Sequence, residues 1–275
     1  MDRTLVPEFA IELRELLESI NLKYDFDFRE YSINSMTRSV VHAMDRMGCD
    51  NLQRLQEKVL KDSDSFYALL QSLTIPVSEM FRDPTYYLSI REKVVPILKT
   101  YPSINLWVAG CGTGEEVYSL AILLEEENLL ERTTIYATDI NSRTLNQAAA
   151  GIFDFKIFQY YEGSYKESGG LHSLSNYYTK SNGIVVMNEN LKKNITFADH
   201  SLSTDNVFAG MHFISCRNVL IYFNRDLQNK VVGLFNQSLH RKGFLGLGSK
   251  ETIQFSENAK HYDPFVIKDR IYQKK

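Results

Sequence analysis

Apolar positions follow one rhythm in the first quarter of the chain and another after it. Leu5, Phe9, Leu13, Leu16, Leu17 and Ile20 fall three or four apart, the spacing that lines one face of a helix. Met36, Val40, Val41 and Met44 form a second such series, and Phe66, Leu69, Leu70 and Leu73 another. Asn34 or Ser35 is expected to cap the second helix and Gly48 to end it, with Arg54 in the next helical stretch. Pro76 and Pro84 then stop helices. Beyond about residue 86 short apolar runs alternate with amphipathic ones. Strands are predicted over residues 104–109, 133–138, 211–216 and 243–247, and helices over 115–127, 142–150 and 225–239. That alternation predicts parallel strands joined by crossover helices, an α/β doubly wound sheet. Residues 265–272 read as an extended stretch that ends the sheet antiparallel. Between 155 and 195 the alternation lapses, and Asn182-Gly183 between β-prone runs predicts a small inserted hairpin subdomain. Residues 1–75 are therefore expected to form a helical domain, 76–85 a linker and 86–275 the α/β domain.

Composition narrows the class without changing this picture. The chain has 275 residues, 44% hydrophobic and 24% charged, an ordinary globular mix with enough length for a proper core. Its net charge is −3, which gives no pull toward nucleic acid or anionic lipid. The acidic excess sits in residues 1–75, with 9 basic and 13 acidic side chains. Cys49, Cys111 and Cys216 are far apart, which suits a reducing cytoplasm and offers neither a disulfide scaffold nor a metal site. The first residues are acidic and amphipathic, unlike a signal peptide, and no apolar run is long enough to span or insert into a bilayer.

The candidate chemistry begins at Trp107. Residues 106–116 read LWVAGCGTGEE, a strand running into Gly110, Gly112 and Gly114 and then a helix. Glycines permit a tight turn that brings backbone N–H groups close to a ligand. Glu115 and Glu116 follow at once and would repel a pyrophosphate. They suit a nucleoside that bears ribose hydroxyls and positive charge, such as S-adenosylmethionine, over NAD. Asp139 ends the next strand, where a carboxylate can accept hydrogen bonds from ribose hydroxyls. Cys111 and Cys216 flank this region as packing residues.

Five ordered motifs resemble the CheR-type chemotaxis receptor methyltransferases. They are SEMFRD (residues 78–83), GTGEEVYSLA (112–121), ATDIN with AAAGIF (137–141, 148–153), CRNVLIYF (216–223) and GSKET (248–252). The resemblance implies a small N-terminal helical domain and a Rossmann-like methyltransferase domain with a β-subdomain. It implies methyl transfer from S-adenosylmethionine to receptor glutamates, leaving S-adenosylhomocysteine and requiring no metal. It further implies that Gly110 and Gly112 shape the cofactor turn and that Glu116 and Asp139 contact the adenosyl part. Ser78 and Arg82 approach the methionine end, Arg217 and Asn218 line the pocket, and Tyr222 stands near the acceptor, making Arg82 and Tyr222 the catalytic candidates. Ser201-Leu202 occupies a cofactor-contacting place where relatives carry Asn-Leu, and Pro76 stands where many carry Asn. The expected partner is the acidic helical methylation region of a chemoreceptor, with Arg38, His42 and Arg46 on one helix face to meet it. The short turn at residues 180–183 predicts that no C-terminal receptor peptide is needed as a tether, and nothing demands more than a monomer. The same chemistry on another protein, and a non-catalytic module binding the cofactor or its product, are the competing readings.

Overall fold

The computed structural model describes residues 7–74, 78–208 and 210–275. Pro76 and Leu5 lie outside the described residues.

Four helices come first: α1 (Pro7–Tyr24), α2 (Ile33–Met47), α3 (Leu52–Lys61) and α4 (Ser63–Thr74). Their apolar stripes close on a core of their own that includes Leu13, Leu16, Ile20, Met36, Val40, Leu55, Phe66 and Leu70. Gly48 ends α2 in the left-handed conformation, as a helix-stopping glycine does. The start of α2 differs from expectation. The helix begins at Ile33, ahead of Asn34 and Ser35, because the preceding chain is held from elsewhere: the Ser32 N–H donates to the Tyr222 carbonyl at 2.7 Å.

A helical stretch leads into the sheet: α5 (Pro84–Ser89), a π turn (Ile90–Val94) and α6 (Val95–Leu98). Pro96 has no N–H for the carbonyl one turn back, and the backbone widens there. Then follow β1 (Ile104–Ala109), α7 (Glu115–Glu126), β2 (Thr133–Asp139) and α8 (Ser142–Ala150). A three-stranded antiparallel insert comes next. It comprises β3 (Ile152–Asp154), α9 (Phe155–Phe158), α10 (Tyr161–Glu167), β4 (Tyr178–Ser181) and β5 (Ile184–Met187). Asn182 and Gly183 both take positive φ in its two-residue turn, the conformation that Asn-Gly favours. After it come α11 (Glu189–Lys192), β6 (Ile195–Asp199), β7 (Met211–Cys216), α12 (Arg225–Ser238), β8 (Leu239–Leu247), β9 (Tyr262–Val266) and β10 (Ile271–Lys274).

The main sheet has the order β6-β2-β1-β7-β8-β10-β9. The first five strands are parallel; β10 then pairs antiparallel with β8, and β9 antiparallel with β10. The extended stretch expected at its end is two strands, because Lys268, Asp269 and Arg270 interrupt the apolar run and Arg270 turns with positive φ. Alternate residues of β1 feed opposite layers: Ile104, Leu106 and Val108 face one core, Trp107 and Ala109 the other. Helix α7 is buried almost all round rather than along one stripe, because the α5–α6 stretch and the insert cover its outer side. Each large apolar side chain so enclosed contributes about 1.5–3 kcal/mol. β1 lies between β2 and β7, so the crossovers on its two sides diverge and leave a crevice beyond the strands' carboxyl ends.

Candidate active site

The crevice opens where that topology puts it. After β1 the chain folds back over β2, and the N–H groups of Gly110 and Cys111 both donate to the Thr138 carbonyl, at 2.8 and 2.9 Å. Gly110 has φ +74°, and a Cβ there would sit 2.5 Å from Val219 Cγ2, so only glycine fits. Gly112, at φ +54°, has open space where a Cβ would be. The Gly112 N–H donates to Asp139 Oδ2 at 2.9 Å, while Asp139 Oδ1 accepts from Asn141 N–H at 2.9 Å. Asp139 is thus fixed beneath the turn, and burial raises its pKa above the ordinary aspartate value against these bonds.

Ser215 of β7, Arg217 and Asn218 of the turn after it, and Glu251 from beyond β8 build the wall opposite. Ser215 donates to Glu116 Oε1 at 2.6 Å and bonds Tyr86 at 2.7 Å. Arg217 reaches Asp83 at 2.7 Å, the Arg82 carbonyl at 2.8 Å and Glu116 at 3.4 Å. Its guanidinium lies 4.2 Å from the Tyr86 ring centroid, a cation–π contact. Burial disfavours the cation, yet Glu116, Tyr87, Tyr86 and Asp83 outweigh it and hold Arg217 charged. Asn218 takes φ +60°, and the turn it begins is gripped by Glu251. That buried carboxylate accepts from Gly248 N–H at 2.6 Å, Asn218 N–H at 2.8 Å and Ile221 N–H at 3.3 Å.

Arg82 arrives from the other side. Phe81 and Asp83 flank it with positive φ of 53° and 56°, an uncommon backbone for such residues. The buried Phe81 ring, packed 5.2 Å from both Tyr87 and Tyr165, and its N–H bond to Ser119 at 2.9 Å hold that bend. Burial raises the pKa of the half-buried Tyr222 hydroxyl, and Arg82 and Arg38 oppose that rise without reversing it, while Glu251 adds to it.

Of the sequence-predicted residues, Ser78, Arg82, Gly110, Gly112, Glu116, Asp139, Leu202, Arg217, Asn218 and Tyr222 line one cleft. Ser201 is not in its lining; its hydroxyl meets Ser203 at 2.9 Å and its N–H meets Asp205 at 2.7 Å. Glu115 and Glu116 do not act as a pair. Only Glu116 faces the cleft, while Glu115 is buried and accepts from Thr113 at 2.6 Å. Consecutive helical residues point about 100° apart, so one wall cannot use both. Cys111 lines the cleft, but burial pushes its thiol well above the ordinary value, which suits packing and not nucleophilic attack. Tyr31, His200 and Ser215 carry no role in the sequence reading, and Glu251 enters it only as part of the GSKET motif. Ser215 is legible as a polar residue inside an apolar strand, whereas Tyr31 comes from the helical part and carries no local signal.

The residues fit a cationic nucleoside. Two carboxylates, Glu116 and Asp139, meet the turn that glycines keep open, and Arg217 Nε is buried without an acceptor among the described residues. No cluster of three or more His, Cys, Asp or Glu side chains suited to a metal ion occurs among the described residues. No described helix is long and apolar enough to cross a membrane.

Two family profiles divide the chain between them. Residues 11–74 match the all-alpha domain of CheR methyltransferases, and residues 76–266 match their SAM-binding domain. The chain belongs to the CheR methyltransferase family. It is therefore a methyltransferase that uses S-adenosylmethionine, and the sheet described above is the Rossmann-like sheet of that class. Among relatives of this CheR protein, Cher3 of Pseudomonas putida is 53% identical over 96% of this chain and 97% of its own length. A chemotaxis protein methyltransferase of Listeria innocua is 26% identical over 90% of this chain and 93% of its own. An uncharacterized 104.1 kDa protein of Rhodobacter capsulatus is 28% identical over 92% of this chain, which spans 27% of that longer protein.

Proposed function

We propose that this CheR protein methylates glutamate side chains of a chemoreceptor or related signalling protein, giving methyl esters and S-adenosylhomocysteine. The observation that supports this most is the placement of Arg82 and Tyr222. They line the same cleft as Glu116 and Asp139, so one cavity offers groups for an anion as well as for a cation. The bound cofactor supplies an already activated methyl group. A glutamate with a pKa of about 4.3 is ionised near neutrality, so no side chain has to remove a proton. What remains for the protein is orientation and dryness. In this reading Glu116 and Asp139 hold the nucleoside through its ribose hydroxyls. Arg82 and Tyr222 aim the acceptor carboxylate, and Arg38 on α2 extends the positive rim toward an acidic helix. The chain acts as a monomer in the cytoplasm, where its three free cysteines stay reduced. The two-residue β4–β5 turn supports action without a peptide tether; calorimetry with a receptor C-terminal pentapeptide is expected to show no tight binding.

The decisive experiment incubates the enzyme with methyl-labelled cofactor and membranes of its host cell, then releases label as methanol with base. Base-labile incorporation is expected. Label that resists base, or wild-type incorporation by both Arg82→Ala and Tyr222→Phe, overturns the assignment.

A further inference from the structure

Two buried hydroxyls behind the cleft have no part in the steps above. Ser215, in β7, is fully buried, and Tyr86, in α5, is 2% exposed. Neither lines the cleft. Their oxygens lie 2.7 Å apart, and Ser215 Oγ is 2.6 Å from Glu116 Oε1. A carboxylate only accepts, and a serine hydroxyl has a single proton to give. The order is therefore fixed: Tyr86 donates to Ser215, and Ser215 donates to Glu116. Burial, with Glu116 close by, raises the Tyr86 pKa well above the ordinary phenol value and keeps that donor proton in place. Arg217 meets the other carboxylate oxygen, Glu116 Oε2, at 3.4 Å while stacking over the Tyr86 ring. Glu116 is thus held at both oxygens, yet its side chain keeps 14% exposure and lines the cleft. The sheet makes room for this arrangement. Ser215 pairs with Gly246 between β7 and β8, and a Cβ at Gly246 would overlap the Tyr86 hydroxyl. A glycine inside a strand weakens it, and here it marks the close approach of the phenol.

We propose that Ser215 and Tyr86 are positioning residues: the hydrogen-bonded chain from Tyr86 through Ser215 to Glu116 fixes the Glu116 carboxylate in the orientation that receives the nucleoside. This rests on the reading that Glu116 holds the nucleoside, and it extends that role to two side chains that touch no ligand. A glutamate side chain loses rotamer freedom when it binds, and fixing it beforehand spares the ligand that cost. The carboxylate oxygens have lone pairs beyond those taken by Ser215 and Arg217, and these remain for a ribose hydroxyl. Without the Ser215 hydroxyl, Glu116 is drawn by Arg217 alone and turns from that orientation. Without the Tyr86 hydroxyl, the Ser215 proton is no longer committed to Glu116 by a donor behind it, a smaller loss.

The test measures S-adenosylhomocysteine affinity by calorimetry for wild type, Ser215→Ala, Tyr86→Phe and Glu116→Ala, and for Glu116→Ala combined with each of the other two. Ser215→Ala and Tyr86→Phe each remove a hydroxyl and add no bulk, and circular dichroism checks that the fold is kept. Ser215→Ala is expected to weaken affinity about tenfold, the scale of one hydrogen bond to a charged group, and Tyr86→Phe about threefold. In the Glu116→Ala background neither change lowers affinity further, because no carboxylate is left to position, whereas a packing role would persist there. Wild-type affinity in either hydroxyl variant, or losses that add to that of Glu116→Ala, overturn the chain and leave Glu116 as a nucleoside contact. Wild-type affinity in Glu116→Ala itself overturns the reading of Glu116, and the chain with it.

Discussion

Arg217 shows how much one side chain settles in this cleft. Its guanidinium joins Glu116, Asp83 and the Arg82 carbonyl, and lies over Tyr86, tying β7 to α7 and to the segment before α5. Lysine offers no planar fork, so Arg217→Lys is expected to weaken S-adenosylhomocysteine binding about tenfold in calorimetry, with correct folding by circular dichroism. Asp139 gives a pH signature. Burial raises its pKa above the ordinary value, and only the ionised form accepts two hydroxyls. Below that raised pKa the carboxyl holds a proton and loses an acceptor, so product affinity should fall as pH is lowered through it. In Asp139→Asn the affinity is weak throughout and this limb is absent; an unchanged limb rules Asp139 out as its source. Arg82→Ala should slow transfer about 10²-fold, the effect of a lost orienting group, and Tyr222→Phe less than about tenfold.

Among elements, the three-stranded insert shares the main core and is also fastened by one buried carboxylate. Glu126, at the end of α7, pairs with Arg91 and accepts from Tyr165, from Tyr177 at 2.9 Å and from Leu171 N–H at 3.0 Å. Arg91 comes from the π turn, so one acid joins three elements. Burial opposes its charge, yet the Tyr165 bond and Arg91 prevail and hold the pKa below the ordinary glutamate value. Stability from this group is therefore complete above the unfolded-state pKa and lost as pH falls through the lower folded value. Glu126→Ala leaves Arg91 buried without this partner and should lower unfolding free energy by about 3–5 kcal/mol. Urea titrations at neutral and acid pH check this, since the difference between variant and wild type must shrink in acid. The hairpin itself was readable from Asn182-Gly183, because that turn chemistry is local. The anchor was not, because its partners lie up to 51 positions away.

On the scale of the whole molecule, the helical bundle supplies a wall of the cleft. Tyr31 and Phe223 form an isolated bridge with rings 4.8 Å apart, and Asn224 N–H donates to the Glu30 carbonyl at 2.9 Å. Arg143 of α8 lies 4.1 Å from the Tyr67 ring centroid and pairs with Asp64. Tyr31 is itself part of the lining. Tyr31→Ala is expected to weaken product affinity and slow transfer together. If Arg38 meets the acceptor as proposed, Arg38→Glu should slow transfer with affinity kept, since Arg38 is not in the cleft lining. Parallel calorimetry and rate measurements separate the two, and a loss of affinity in Arg38→Glu would sink that division of labour.

What the linear chain determined is local in origin. Glycines before an apolar helix, an aspartate closing a β-branched run and the alternation of two periods each act within a dozen residues, and they located β1, β2, β7 and the turn. Tertiary structure decided which side chains share the space. Glu116 rather than Glu115 faces the cleft because the helix rotates each residue away from the last. Ser201 turns to Ser203, Tyr31 enters from the bundle, α2 starts early because Ser32 is held by Tyr222, and Glu251 fastens the turn carrying Asn218. None of these is written in neighbouring residues, because a folded chain places partners by packing across distances that its order does not record.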